Sequence, residues 1–572
     1  VPLPERDTTA LKAVPQDSVV RDTIKAPIAV AERPGSPELR GRRYVWDRDA
    51  IFLSGALTLP ELIAQVPGAT VVNAGFVMAP AVASWYGQPG RVRVFMDGVE
   101  LDHLDPRSGG TADLSTIMLW PMEEVAAERT AGELRIHLRT WRVERTTAQT
   151  RTDVLTGSEN INLYRGFFGK RFNNGGVLQI AGQQYSTTSA ATRGDGESLS
   201  AFLRAGVARG DWSLDAVALR YGRSRTATRR FVTAPSPDDA AIGGFNGRDI
   251  TAYVRGAFRN PDDDGVWAQV VASTLQYIED DSTGSGSTAD LDSVVTQSQW
   301  VATLGLTRGG FRLSGTGRLR TQGGESRISP LVRASWDSRF LELSGAFEGS
   351  GPDSTARLDA IARLQVLPFL HIAGAVSQHA PSNEAAEGPA RTTSRGEVGL
   401  RIRDRWLTAG VVQQSQRRVL GLTLFDENFG SILAERATGL EYGLGGRIWG
   451  PFSLEARLID WGEEGFYRPR VESHSELRVG TALERLLKRR TFYLTAALTH
   501  DHRGNFLAPD GAGGTLRADG ANQLGTLLDI KIGAAHVFWY NRNFTASIYE
   551  TVPGYTMPRL VQMYGIRWEF WN

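Results

Sequence analysis

The sequence predicts a mainly β protein: a 22-stranded antiparallel transmembrane β-barrel with a small N-terminal α+β plug inside it. Three observations carry this prediction. The last stretch alternates with period two, the connections upstream alternate between short and long, and only residues 44–141 mix helical with strand patterning. In the last stretch, Leu560, Gln562, Tyr564, Ile566, Trp568 and Phe570 share one face, while Val561, Met563, Gly565, Arg567, Glu569 and Trp571 share the other. Period two means a strand with two different environments. Aromatic rings closing the apolar face suit a membrane–water interface, so this stretch is expected to be the closing strand of the barrel.

The same alternation recurs through residues 142–572. Phe311, Leu313, Gly315, Gly317 and Leu319 oppose Arg312, Ser314, Thr316, Arg318 and Arg320; Leu440, Tyr442, Leu444 and Ile448 oppose Glu441, Gly443 and Arg447. Arginine on the polar face can be hydrated or paired in a lumen but is costly toward lipid. Tight turns are expected at Arg171–Gly176, Arg209–Asp211, Asn260–Gly265, Arg308–Gly310, Asp337–Arg339, Leu367–Pro368, Arg403–Arg405, Gly450–Pro451, Leu487–Arg490 and Gly533–Ala535. Between them lie mostly longer polar connections, such as Arg225–Gly247, Gly421–Leu433 and Asp501–Ala521. One rim short and the other long is the outer-membrane pattern, and about ten turns plus the chain ends give about 22 strands. The chain from Thr147 onward allows roughly 19 residues per strand and connection, enough for a tilted span. A barrel this wide cannot be filled by its own side chains and needs a plug.

Composition removes other classes. The chain has 572 residues, 9% aromatic and 22% charged residues, and Gly 63; its mean hydropathy is −0.25. A barrel can show such an average because lipid-facing and lumen-facing residues cancel. No run of about 18 apolar residues exists, which excludes a helical membrane protein. A net charge of +1 offers no argument for nucleic acid as a partner. The absence of Cys removes disulfides, thiolate metal sites and Cys nucleophiles, and suits an envelope protein. The chain opens at Val1 without a charged-then-apolar leader, from which a removed secretory signal is expected.

Residues 1–43 carry Pro2, Pro4, Pro15, Pro27, Pro34 and Pro37 among charges, and are expected to be a flexible periplasmic arm. Within it, Asp22-Thr23-Ile24-Lys25-Ala26-Pro27-Ile28-Ala29-Val30 is a short β-prone patch suited to strand addition onto a partner's sheet edge. An ordinary linker is the alternative reading. In residues 44–141, Thr58 reads as an N-cap with Pro60 in the first turn and Glu61 three after the cap. Leu59, Leu62, Ile63 and Val66 form its apolar stripe, and Pro67-Gly68 stops the helix. Strands are expected at 69–72, at Arg91–Met96 turned by Asp97-Gly98 into Val99–Leu101, and at Glu133–Arg139.

The order of a helix ending Val66-Pro67-Gly68, a strand, and then Val94-Phe95-Met96-Asp97-Gly98-Val99-Glu100-Leu101 resembles the plug domain of TonB-dependent outer-membrane receptors. Leu114–Glu124 is similar to that family's segment before its last plug strands, and Tyr549–Pro558 resembles its final extracellular loop. The resemblance covers nearly the whole chain and implies a TonB box at Asp22–Val30. It departs from the pattern at Glu128–Glu133, where the family's longer segment is shortened, and Arg129 only loosely occupies the place of the family's plug arginine.

Ligand contact is expected where plug loops meet extracellular loops: Phe76, Trp85, Tyr86 and Gln88 on the connection Asn73–Gly90, Asp105 and Arg107 on the next, and Phe425, Phe429, Tyr467, Phe506 and Tyr549 on the barrel loops. Aromatics there can stack on a ligand or simply pack the loops over the mouth. His500-Asp501-His502 at the start of a long loop puts two imidazoles on one face of extended chain, a weak metal-site candidate against a solvated loop edge. Glu279, Asp280, Asp281, Asp290 and Asp292 read as a solvated charge run rather than a calcium loop. No nucleophile motif occurs, so no enzyme and no cofactor are expected. The leading expectation is a receptor of the bacterial outer membrane, taking up an unidentified scarce solute with energy passed from a TonB-type periplasmic energiser. The rivals are a transport-inactive barrel docking another envelope protein, and a passive pore. Contact with outer-membrane lipid follows from all three.

Overall fold

The computed structural model describes residues 28–32, 44–75, 78–189, 194–229, 241–242, 244–280, 294–349, 355–381, 390–425, 432–482, 492–509, 514–553 and 555–571. From Gln149 onward the chain forms a closed barrel of 22 antiparallel strands. The last strand, Val561–Trp571, pairs back onto the first, Gln149–Gly157, with Met563 opposite Gly157 and Trp571 opposite Gln149, so no edge remains. Every predicted tight turn falls between consecutive strands, except that at Leu487–Arg490, which lies outside the described residues. Among the described residues the opposite rim carries long connections but also short ones, among them Gly323-Gly324, where φ of +58° and +85° gives the left-handed pair a two-residue hairpin requires.

Alternation sorts the two faces as the residue types dictate. Leu313, Val398, Leu440, Tyr442, Tyr564 and Ile566 face outward and exposed, whereas Ser314, Arg318, Glu397, Glu441, Met563 and Arg567 are buried inside. Exposed aromatics gather at the short-turn rim, at Trp212, Trp336, Phe340, Phe369, Trp449 and Trp568. This is one of the two girdles that a membrane barrel places at its interfaces. Among the described residues no helix is long and apolar enough to cross a membrane.

The plug begins with β1 (Val45–Asp47) and α1 (Arg48–Leu53), capped by the Asp47 carboxylate accepting from the Ala50 N–H at 2.8 Å. α2 (Leu59–Ile63) follows the predicted cap: Glu61 Oε2 accepts from the backbone N–H of Leu57 at 2.6 Å and of Thr58 at 3.4 Å. Its stripe of Leu59, Leu62, Ile63 and Val66 is buried. Next come β2 (Ala69–Asn73) and β3 (Ala81–Trp85), which form a hairpin. β4 (Val92–Met96), β5 (Val99–Glu100), β6 (Met122–Arg129) and β7 (Leu134–Thr140) join β1 in a five-stranded sheet of order β1-β6-β7-β4-β5. β4 and β7 run parallel, which makes the sheet mixed.

Three plug elements differ from expectation. The connection Asn73–Gly90 contains β3, whose five residues are all buried, so neither face presents the polar half that produces alternation. β6 likewise buries most of both faces. α1 is only 6 residues long, too short for a periodic signal. The arm also departs from a wholly free chain at its described stretch. Ile28 packs with Val177 and Ala208; the Ala29 N–H donates to Ser213 Oγ at 3.1 Å and the Val30 N–H to Asn260 Oδ1 at 3.0 Å. Ser314 Oγ donates to the Glu32 carboxylate at 2.8 Å. Residues 28–32 thus line the inner wall, and Asp22–Pro27 lie outside the described residues.

Candidate functional site

The plug is held to the wall by buried ion pairs. Arg93 on β4 pairs with Glu100 on β5 at 2.6 Å and reaches Glu348 on the barrel at 2.7 Å. Glu100 in turn takes Arg318 at 2.6 Å and Arg320. Glu133, in the β6–β7 turn, meets Arg357 of the barrel at 2.5 Å and Arg135 at 3.2 Å. Burial alone would raise the Glu133 carboxyl, but Arg357, Arg93 and Arg135 outweigh it and hold it well below the usual carboxylate range. Burial is likewise outweighed at Glu100, by Arg320, Arg93 and Arg318. The shortened segment therefore does not leave Arg129 idle. Its Nη2 sits 2.9 Å from Glu441, which also pairs with Arg395 at 2.9 Å and accepts from the Tyr86 hydroxyl at 2.8 Å. Charged hydrogen bonds of this kind are strong, and removing one partner strands the other charge in a dry place.

The predicted aromatic contacts form structure rather than an open surface. Phe425, Tyr467 and Phe506 are fully buried in one apolar cluster with Val72 and Val82 of the β2–β3 hairpin, Val552 and Tyr555. Trp85 and Tyr86 are buried beneath them, their ring centroids 4.0 Å apart. The Ser84 hydroxyl donates to the Tyr467 carbonyl at 2.7 Å, tying hairpin to loop. Gln88 contributes its carbonyl to the Trp85 N–H at 3.0 Å. Asp105 and Arg107 pair with each other at 2.9 Å, and Arg107 continues to Glu279 at 3.3 Å and the Tyr277 hydroxyl at 2.7 Å. Asp280 pairs with Arg248 at 3.2 Å. Phe76, Phe429, Asp281, Asp290 and Asp292 lie outside the described residues.

His500 and His502 sit within the last residues of the strand Phe492–Arg503, paired to its neighbours, rather than in the loop that follows. Asp501 between them bonds His474 Nδ1 at 2.6 Å, while His502 Nδ1 lies 2.7 Å from Asn522 Oδ1. Among the described residues no group of three or more His, Asp or Glu is arranged to hold a metal.

A cavity of about 320 Å³ lies between α2 and the barrel wall, below Tyr549 and Met557. Strand register builds its polar side. Arg457, His474, Asp501 and Gln523 form one row across four neighbouring strands, with Ile459, Glu472, Arg503 and Ala521 in the next. The plug supplies partners: Glu61 takes Arg542 at 2.5 Å, the Ala64 carbonyl near the end of α2 accepts from Arg457 Nη2 at 2.8 Å, and Thr70 Oγ1 donates to Glu472 Oε2 at 3.2 Å. Of the predicted ligand contacts Tyr549 lines this cavity, as do Asp501 and His502 of the weak metal-site candidate. The rest of it was missed. The available signal was charge on the lumen face of consecutive strands.

The strand ladder and the domain packed inside it define a closed 22-strand barrel filled by an N-terminal plug. No protein-family model matches the chain, and no curated protein matches it in sequence. Among solved structures, the ferric enterobactin receptor PfeA of Pseudomonas aeruginosa is similar with a TM-score of 0.68 at 10% identity, covering 92% of this chain and 99% of that one. The siderophore receptor PiuA of Acinetobacter baumannii gives 0.64 at 10% identity, over 92% and 96% of the two chains. The ferric-catecholate import receptor Fiu of E. coli gives 0.65 at 11% identity, over 95% and 100%. The chain has the fold of these siderophore receptors across nearly its whole length.

Proposed function

We propose that this protein is an energised receptor of the bacterial outer membrane that takes up a scarce solute, and not an enzyme. The solute enters from the long-loop side, the plug shifts, and the Asp22–Val30 segment adds a strand to a TonB-type energiser reached through the periplasm. One observation carries this reading: the wide lumen is closed by a plug that ion pairs fix to the wall, with loop aromatics packed over the β2–β3 hairpin. Passage through such a lumen requires work, and the outer membrane has no nucleotide supply, so the force must arrive by contact. The similar structures, a ferric enterobactin receptor and a ferric-catecholate import receptor among them, support the same class of function.

The test is binding of the purified protein to the soluble periplasmic domain of its own TonB, with and without residues 20–32. Binding that disappears with the deletion is the expected result. A well-folded protein that does not bind would instead be a barrel docking another envelope protein.

A further inference from the structure

We propose, resting on the receptor reading, that the cavity beneath the last loop takes a solute through an oxyanion, a carboxylate or phosphate group seated between Arg457 and Arg503. The charges of the cavity wall pair off in sequence. Glu61 is taken by Arg542 at 2.5 Å and Glu476 by Arg478 at 2.6 Å, while Asp501 shares a hydrogen bond with the His474 imidazole at 2.6 Å. Three charged groups are left, Arg457, Arg503 and Glu472, none of which forms an ion pair among the described residues. Neither guanidinium has a carboxylate in contact among the described residues; both bond to backbone carbonyls.

Both arginines are more than nine-tenths buried, with relative exposures of 7% and 9%. Each also keeps a buried donor with no partner, Nη1 of Arg457 and Nε of Arg503. Their satisfied donors go to backbone carbonyls, of Ala64 at 2.8 Å for Arg457 and of Asp519 at 3.0 Å for Arg503, which neutralise no charge. A buried cation with an idle donor is costly unless an anion completes it. A planar guanidinium matches the oxygen pair of a carboxylate or phosphate. Register puts Arg457 and Arg503 two strands apart and two residues out of row, roughly 12 Å between their backbones, with the Glu472 strand between them. The two long guanidinium side chains thus converge from one stretch of wall on a single oxyanion, and Glu472 between them disfavours a second anion beside it.

The test is calorimetric titration of the full chain in detergent micelles with citrate, with inorganic phosphate and with glucose as a neutral control. Citrate or phosphate is expected to bind and glucose not to. Arg457→Gln with Arg503→Gln should weaken that binding by about tenfold or more, and Glu472→Gln should tighten it. Arg457→Lys with Arg503→Lys, which keeps both charges, should retain part of the affinity and controls for misfolding. Absence of binding by both anions, glucose binding as well as they do, or indifference to the double Gln variant would each overturn the proposal. Deletion of residues 20–32 should leave anion binding intact, so loss of TonB contact and loss of the anion site are separate results.

Discussion

At the scale of single residues, burial forces a choice on every charge: pair or pay desolvation. Glu133 is fully buried yet remains an anion because Arg357, Arg93 and Arg135 surround it. Glu128 behaves alike: burial would raise its carboxyl, and Arg333, Arg135 and the His137 hydrogen bond lower it below the usual range. Carboxyls depressed in the folded state bind fewer protons there than in the unfolded state, so stability rises with pH until the ordinary carboxylate range is passed. Their contribution is therefore complete at neutral pH and is lost only as pH falls below about 4.5 toward the lowered folded values. Protease resistance of the plug in micelles is expected to persist down to that range and then fall. Glu133→Gln, which strands buried guanidiniums, should cost about 3–5 kcal/mol and expose the plug already at neutral pH. Plug release by wild type between about pH 5 and 7 would mean that other forces hold it.

At the scale of elements, close backbone approach decides where glycine is required. Gly68 ends the α2 segment at φ +82°, and a Cβ there would lie 2.1 Å from the Tyr86 ring. Gly68→Ala must displace that ring and with it the Tyr86–Glu441 hydrogen bond of 2.8 Å. The expected loss is about 1–3 kcal/mol, read as earlier thermal release of the plug; an unchanged melt would show that the ring relocates freely. The barrel uses the same device at Gly305, opposite Trp267, whose indole lies where a Cβ would be. Elements with one wet and one dry face could be read from sequence: α2 through its cap and stripe, the barrel strands through alternation, the turns through glycine and charge. β3 and β6 could not, because strands buried on both faces lose period two. The loop aromatics Phe425, Tyr467 and Phe506 were recognisable as loop residues, but whether they faced solute or each other depended on where the loops fold.

At the scale of the whole molecule, the barrel and plug are separable by argument and by experiment. Deleting residues 44–141 should leave a 22-strand ring with an open lumen. Single-channel recordings in planar bilayers are expected to show large steady conductance for that variant and near-silence for the intact protein. Equal conductance from both would identify a passive pore and overturn the receptor reading.

The sequence by itself determined the architecture. Alternation, turn spacing and the aromatic closing strand follow from membrane physics acting on each strand separately, so a strand's own residues report them. Tertiary structure alone decided what fills the lumen: the docking of Ile28–Glu32 on the wall, the pairing of Glu133 with Arg357 across 224 positions, and the cavity at Arg457, Glu472 and Arg503. Those features arise where the plug meets the wall, between residues far apart in the chain. Local periodicity shows that an arginine faces inward, but not which carboxylate, if any, meets it there.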